Sequence, residues 1–214
     1  MAQKTIKIAL ISDISSNIWP KYVEEKVIKL AQGFNYEKNH AEHVAFLSDI
    51  IFQNIKRYCN LTDEHRILLH YAAILHDIGW IEGQKSHHKT SQRLIICDDS
   101  VPLKERQRIL TALIARYHRK ALPSKKHKYF NNLSDSDRKV VELLGGILRI
   151  ADGFDRTHQS NVTDIAVSKK KGHFEFTCRL KAGKSAVSDI EAATEKSDLL
   201  SKTLKKPILI KILH

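Results

Sequence analysis

The sequence predicts a mainly α fold: a helical bundle followed by a small C-terminal α+β subdomain of β-β-α-β order. Three observations predict it. From residue 20 to about residue 154, apolar residues recur at steps of three and four, the period of a helix with one buried face. Beyond residue 160 the period drops to two, with Phe174, Phe176, Cys178 and Leu180 alternating with polar neighbours. The chain has 214 residues, of which 42% are hydrophobic, enough for the core of one domain with an appendage.

Residues 1–14 read as a strand (IKIALIS). In the helix expected over 20–32, Pro20 takes the first position, where a missing N–H costs nothing, and Val23, Val27 and Leu30 form the apolar face. Gly33 ends it. A helix over 37–58 places His40, Val44, Leu47 and Ile51 on one stripe. The next runs over 63–78, capped by Thr62 or Asp63 and closed by Gly79. Helices follow over 86–97 and 103–117, the latter opened by Pro102, and the polar, basic stretch 120–134 reads as a loop. Ser134 with Asp137 resembles a capping box, opening a long apolar helix over 135–154. VTDIAVS, HFEFTCRL and KPILIKIL read as strands, with a hairpin turn over Lys169–Gly172 and a helix over 187–204. The expected organisation is an N-terminal extension (1–36, a strand plus a helix), a helical domain (37–160) and an α+β subdomain (161–214).

Lys and Arg number 36 against 24 Asp and Glu, a formal net charge of +12, which favours anionic partners such as polyphosphate, nucleotides or nucleic acid. No apolar run is long enough to span a membrane and no signal-peptide pattern opens the chain, so a cytoplasmic protein with no membrane partner is expected. Cys59, Cys97 and Cys178 are far apart, which supports neither a disulfide framework nor a thiolate zinc site.

Twelve histidines carry more information. His76-Asp77 ends the apolar helix HYAAILHDIG, where both side chains can reach one ion set against the helix end. His40 lies on an apolar stripe, where an imidazole needs a partner. Asp152 interrupts ILRIADGF, and a carboxylate there needs a cation or donors; an ion pair with Arg149 or Arg156, one turn away, is the plain alternative. Together these residues make a plausible N/O ligand set drawn from three helices. Imidazoles suit Fe, Mn, Zn, Ni or Co, and carboxylates extend the range toward Mn and Mg, so one or two divalent ions are expected without a choice among them. His87 and His88 in SHHKTS, and His118 in ARYHRK beside Arg116, Arg119 and Lys120, suit a phosphate pocket or a second metal; exposed basic loops are the alternative.

The order His40, His76-Asp77, Asp152 resembles the H…HD…D signature of the HD superfamily of metal-dependent phosphohydrolases. HAEHVAFLSDIIF, AAILHDIGW, SHHKTSQRLI, ARYHRKALP and LLGGILRIADGFDRTHQS resemble, more narrowly, the C-terminal HD domain of the exopolyphosphatase/guanosine pentaphosphate phosphatase family, over roughly residues 28–214. The resemblance implies an HD-domain helical bundle with metal ligands at His40, His76, Asp77 and Asp152. It implies a second ion at His88 and His118, with Asp77 bridging, which makes Asp77, His88 and His118 the expected catalytic residues. His87 and His43 are less well matched. Lys89, Arg119, Lys120, Arg149 and Arg156 are expected to hold substrate phosphate, and Asp155 with Arg156 to orient it. Family members that hydrolyse polyphosphate do so in two actin-like domains, whose glycine-rich phosphate loops are absent from this sequence.

The expected function is therefore metal-dependent hydrolysis of a phosphate ester or anhydride: a nucleotide, a guanosine alarmone or polyphosphate. The alternatives are a polyphosphate- or nucleic-acid-binding regulatory module with a structural metal site, and a subunit that pairs with a separate actin-like phosphatase. The final strand offers an edge for a homodimer.

Overall fold

A computed structural model describes residues 21–213. The expected strand over 1–14 lies outside them. The first helix, α1 (Lys21–Gly33), turns Val23, Val27 and Leu30 inward. It packs on α3 (Asp63–Leu75), where Glu24 Oε1 meets His70 Nε2 at 2.9 Å. Between them α2 (Lys38–Cys59) buries the stripe of His40, Val44, Leu47 and Ile51 that its period of 3.6 predicts. Asp49 of α2 accepts both arms of the Arg66 guanidinium from α3, at 2.5 and 2.8 Å.

α3 stops at Leu75, three residues short of the expected end, and the chain tightens into a 3₁₀ turn over Ile78–Glu82. Gly79 is a packing residue there rather than a helix terminator. A Cβ on it would stand 2.1 Å from the carbonyl oxygen of His87 and 2.6 Å from Ser91 N. Its absence lets the turn lie directly against α4 (His87–Cys97), and Gly79 N–H donates to Ser91 Oγ at 2.9 Å. α5 (Glu105–Arg116) begins three residues after Pro102, where Lys104 N–H donates to Gln107 Oε1. The basic stretch 120–134 carries one short helix, α6 (Lys128–Asn131). α7 (Asp135–Gly153) opens on the expected cap, Ser134 Oγ accepting from Asp137 N at 3.1 Å.

α7 is the centre of the molecule, and its residues from Leu143 to Gly153 are all buried. It meets α2, α3 and α5 on the bundle side and two further helices on the other. The expected single helix over 187–204 is two: α8 (Val187–Glu195) and α9 (Asp198–Leu204), broken at Lys196–Ser197. A Cβ on Gly153 would come within 2.5 Å of Ala193 Cα, so only glycine admits α8 this close to α7. Arg149 of α7 pairs with Asp198 at 2.9 and 3.1 Å and holds the start of α9.

The sheet has the order β1 (Val162–Lys169), β2 (Phe174–Leu180), β3 (Ile208–Ile212). β1 and β2 form the expected antiparallel hairpin, and β3 joins β2 in parallel after the crossover through α8 and α9. β1 packs on α2, and one continuous core runs from Val23 to Ile208. Among the described residues, no helix is long and apolar enough to cross a membrane.

Candidate metal centre

Four elements meet above the C-terminal end of α3. His76 is the residue that closes this helix, and Asp77 starts the 3₁₀ turn with φ −109° and ψ 6°. The turn brings these neighbours to one point, which a continuous helix would not. His40 arrives from α2, His87 from the first residue of α4, His118 from just beyond α5, and Asp152 from the end of α7. Among the described residues they form two groups able to hold a metal: His40, His76 and Asp77, and Asp77, His87 and His118.

Asp77 belongs to both, and its two oxygens divide between them. Oδ2 lies 3.5 Å from His76 Nε2, while Oδ1 lies 3.1 Å from His87 Nε2 and 3.5 Å from His118 Nε2. Asp152 Oδ1 joins the first group, 3.4 Å from His40 Nε2 and 3.9 Å from His76 Nε2.

All four rings are held from behind through Nδ1. His76 donates to Ala73 O at 2.7 Å, His118 to Ala115 O at 2.7 Å and His87 to Gln84 O at 3.0 Å, while His40 donates to Asp155 Oδ2 at 2.9 Å. A donated Nδ1 proton leaves the Nε2 lone pair facing the site, the arrangement in which histidine binds a metal. His87 Nε2 and His118 Nε2 stand 3.2 Å apart, and the Arg119 guanidinium lies beside the pair, its Nη1 3.3 Å from His87 Nε2. Among the described residues, His40 Nε2, His76 Nε2 and Asp77 Oδ1 are buried without a hydrogen-bond partner. Orphaned buried polar atoms are costly, and a divalent ion with N/O preference would satisfy all of them.

A sequence profile of the Ppx/GppA phosphatase domain III matches residues 24–203. The chain belongs to this family. Domain III is the C-terminal HD-type domain of these phosphatases, so the mainly helical bundle with its small sheet is the fold of that domain. None of the curated proteins compared with the chain matches it.

This Ppx/GppA domain III thus draws five of the six expected ligands together, and His87 stands where His88 was expected. Successive residues on α4 point about 100° apart, and the Gln84 carbonyl aims His87 inward. The His88 ring is buried and perpendicular to His87, with centroids 6.1 Å apart, and falls in neither group. His43 is also buried and outside both groups.

A cavity of about 270 Å³ lies over the site, walled by Asp77, Trp80, His118, Arg119, Lys120, Asp152, Arg156, His158 and Lys196 among others. Arg119, Lys120 and Arg156, which the sequence reading expected to hold substrate phosphate, line this cavity. Lys89 is exposed on α4 and does not line the cavity. Two corrections follow for residues assigned to substrate. Asp155 is fully buried and orients His40, its other oxygen accepting Ser160 N–H at 2.7 Å. Arg149 is buried in its pair with Asp198 and in a bond to Tyr117 O at 3.2 Å, away from the cavity. Nor does Arg149 or Arg156 balance Asp152; Lys196 does, donating to its Oδ2.

Sequence reasoning missed Lys196, Trp80 and His158. Trp80 stacks on His87 (centroids 4.9 Å apart, 20° between planes), and His158 stacks on His40 (3.9 Å, 5°). The Trp80 signal was local, since it follows HDIG directly; nothing local marks Lys196.

The charges fit a cation site. Burial pushes the Asp77 carboxyl up, but the charge of His76 and the hydrogen bond from His87 outweigh it and hold it well below its usual range. Burial likewise opposes ionisation of Asp152, and Lys196 with His40 reverses the sign. Burial pushes His118 well down, which keeps its imidazole neutral as a ligand must be. Burial alone would lower His40 too, yet Asp152 and Asp155 raise it to about 10, so in the metal-free chain a proton holds the place of a cation.

Proposed function

We propose that this Ppx/GppA domain III is a metal-dependent phosphohydrolase acting on a phosphate ester or anhydride: a nucleotide, a guanosine alarmone or polyphosphate. One observation carries the reading. A single carboxylate, Asp77, divides its oxygens between two groups of imidazole Nε2 atoms, directly beneath a cavity walled by cations. Divalent ions bound there would supply Lewis-acid polarisation of a phosphoryl oxygen.

The remaining work falls to the chain's own side chains. Arg119, Lys120 and Arg156 hold the phosphate and stabilise charge that develops on it. His40 and Asp152 fix the floor of the site, with Asp155 behind His40. Trp80 and His158 wall two rims and limit the water that reaches the phosphate. A basic chain would also bind polyanions without chemistry, and the exposed cations Lys125, Lys126 and Lys128 favour that second reading.

Purified full chain with Mn²⁺, assayed against nucleotides, guanosine alarmones and polyphosphate, separates the two. Hydrolysis that disappears in Asp77→Ala supports the enzyme. Unchanged phosphate release by Asp77→Ala would remove it, and salt-sensitive polyanion binding that survives the substitution would leave the binding module.

A further inference from the structure

We propose that Lys196 is a substrate-phosphate ligand, delivered to the site by the C-terminal α+β subdomain. This rests on the phosphohydrolase reading above and adds a residue and a structural unit that the reading did not contain.

Lys196 ends α8, in the turn that breaks the expected long helix. Its ammonium donates to Asp152 Oδ2, whereas Asp152 Oδ1 is the oxygen turned to His40 and His76. The lysine therefore neutralises the carboxylate without occupying its ligand oxygen. An ammonium has three donors, and among the described residues Asp152 is the one acceptor bonded to this one. The side chain keeps 22% exposure and lines the cavity, so its other donors face the space that a phosphate would fill. Arg119 and Lys120 come from beyond α5 and Arg156 from beyond α7, so Lys196 adds a cation from a third element.

Three devices hold the turn in place. Gly153 admits Ala193 at a distance closed to any side chain. Arg149 clamps Asp198, two residues beyond Lys196. Asp189 accepts both the N–H and the hydroxyl of Thr157, beside Arg156 and His158. These devices fix Lys196 both beside Asp152 and at the edge of the cavity that Asp152, Arg156 and His158 line. Arg149, outside the cavity, is thus a positioning residue for Lys196.

The test uses full-length, Mn²⁺-loaded protein and the variants Lys196→Met and Lys196→Gln, with Lys202→Met, exposed on α9, as control. Glutamine keeps a donor for Asp152 and loses the charge, and a melting curve of each variant is recorded to check that it folds. Three quantities are read: the Kd of inorganic phosphate by calorimetry, Mn²⁺ per chain, and KM and kcat for p-nitrophenyl phosphate. Loss of one charge-assisted bond predicts phosphate binding weaker by about 10- to 100-fold in both Lys196 variants, with KM rising in step and Mn²⁺ per chain unchanged. Lys202→Met should match the wild type. A phosphate Kd for folded Lys196→Gln within twofold of wild type overturns the proposal. So does a fall in Mn²⁺ content with phosphate affinity intact, or a wild type that does not bind phosphate. If the wild type binds Mn²⁺ and phosphate but hydrolyses nothing, the enzyme reading falls, and the phosphate Kd of the variants alone decides the role of Lys196.

Discussion

Asp155→Asn changes one atom and tests the support behind His40. The carboxylate is fully buried and accepts from two donors, His40 Nδ1 at 2.9 Å and Ser160 N at 2.7 Å. An asparagine offers one acceptor and one donor group, so it cannot serve both. If its oxygen faces Ser160, its amide donates to His40 and forces the imidazole proton onto Nε2, the atom needed as a ligand. If its oxygen faces His40, the Ser160 N–H meets another donor and is left unpaired. The first outcome weakens metal binding, and loss of such an outer-shell partner costs about 10- to 100-fold, or about 1.4–2.8 kcal/mol. The second costs about 1–3 kcal/mol of stability. A Mn²⁺ titration against a competing chelator reads the first, and denaturant unfolding of the metal-free protein reads the second. A variant that binds Mn²⁺ within twofold of wild type and unfolds at the same midpoint would refute this reasoning. A change in KM alone would return Asp155 to the substrate role read from the sequence.

Three further outcomes are expected. His87→Ala should lose about one equivalent of bound metal by elemental analysis while His88→Ala keeps it; the reverse would show that α4 presents its other histidine. Gly79→Ala drives a methyl into the His87 carbonyl and Ser91 N, and should cost at least about 1–3 kcal/mol in denaturant unfolding. It should also reduce metal content, since His87 must move. Glu24 joins α1 to His70 of α3: burial raises its pKa, but the bond to His70 lowers it overall from 4.5. Its stabilisation is therefore full above pH 4.5 and fades as pH falls through the lowered value. Glu24→Gln should flatten that part of an acid-unfolding profile, and an unaltered profile would remove the ion pair from the account.

The parts of the site legible in the sequence are those that helical period makes visible. His40 on an apolar stripe and Asp152 inside an apolar helix are anomalies within single elements, and each needs a partner that the fold supplies. The choice between His87 and His88 depends on where α4 begins and on the carbonyl of Gln84, which one-residue shifts in a helix start would reverse. Arg149 and Lys196 were out of reach for a different reason. Each takes its partner far away in the chain (Asp198, 49 positions from Arg149; Asp152, 44 positions from Lys196), across a helix contact that two glycines permit. The break at Lys196–Ser197 carries no Gly or Pro to announce it, and the parallel placement of β3 follows only once α8 and α9 have crossed the sheet.

α7 has its bundle-side neighbours on one flank and the paired helices α8 and α9 on the other, and it is buried along both. The boundary near residue 160 is consequently a change of secondary structure and not a seam. A fragment ending there would expose the flank containing Gly146 and Gly153 to water and leave Asp152 without its counter-charge. Bundle and sheet are expected to melt in a single cooperative transition, and neither piece is expected to fold once cut from the other.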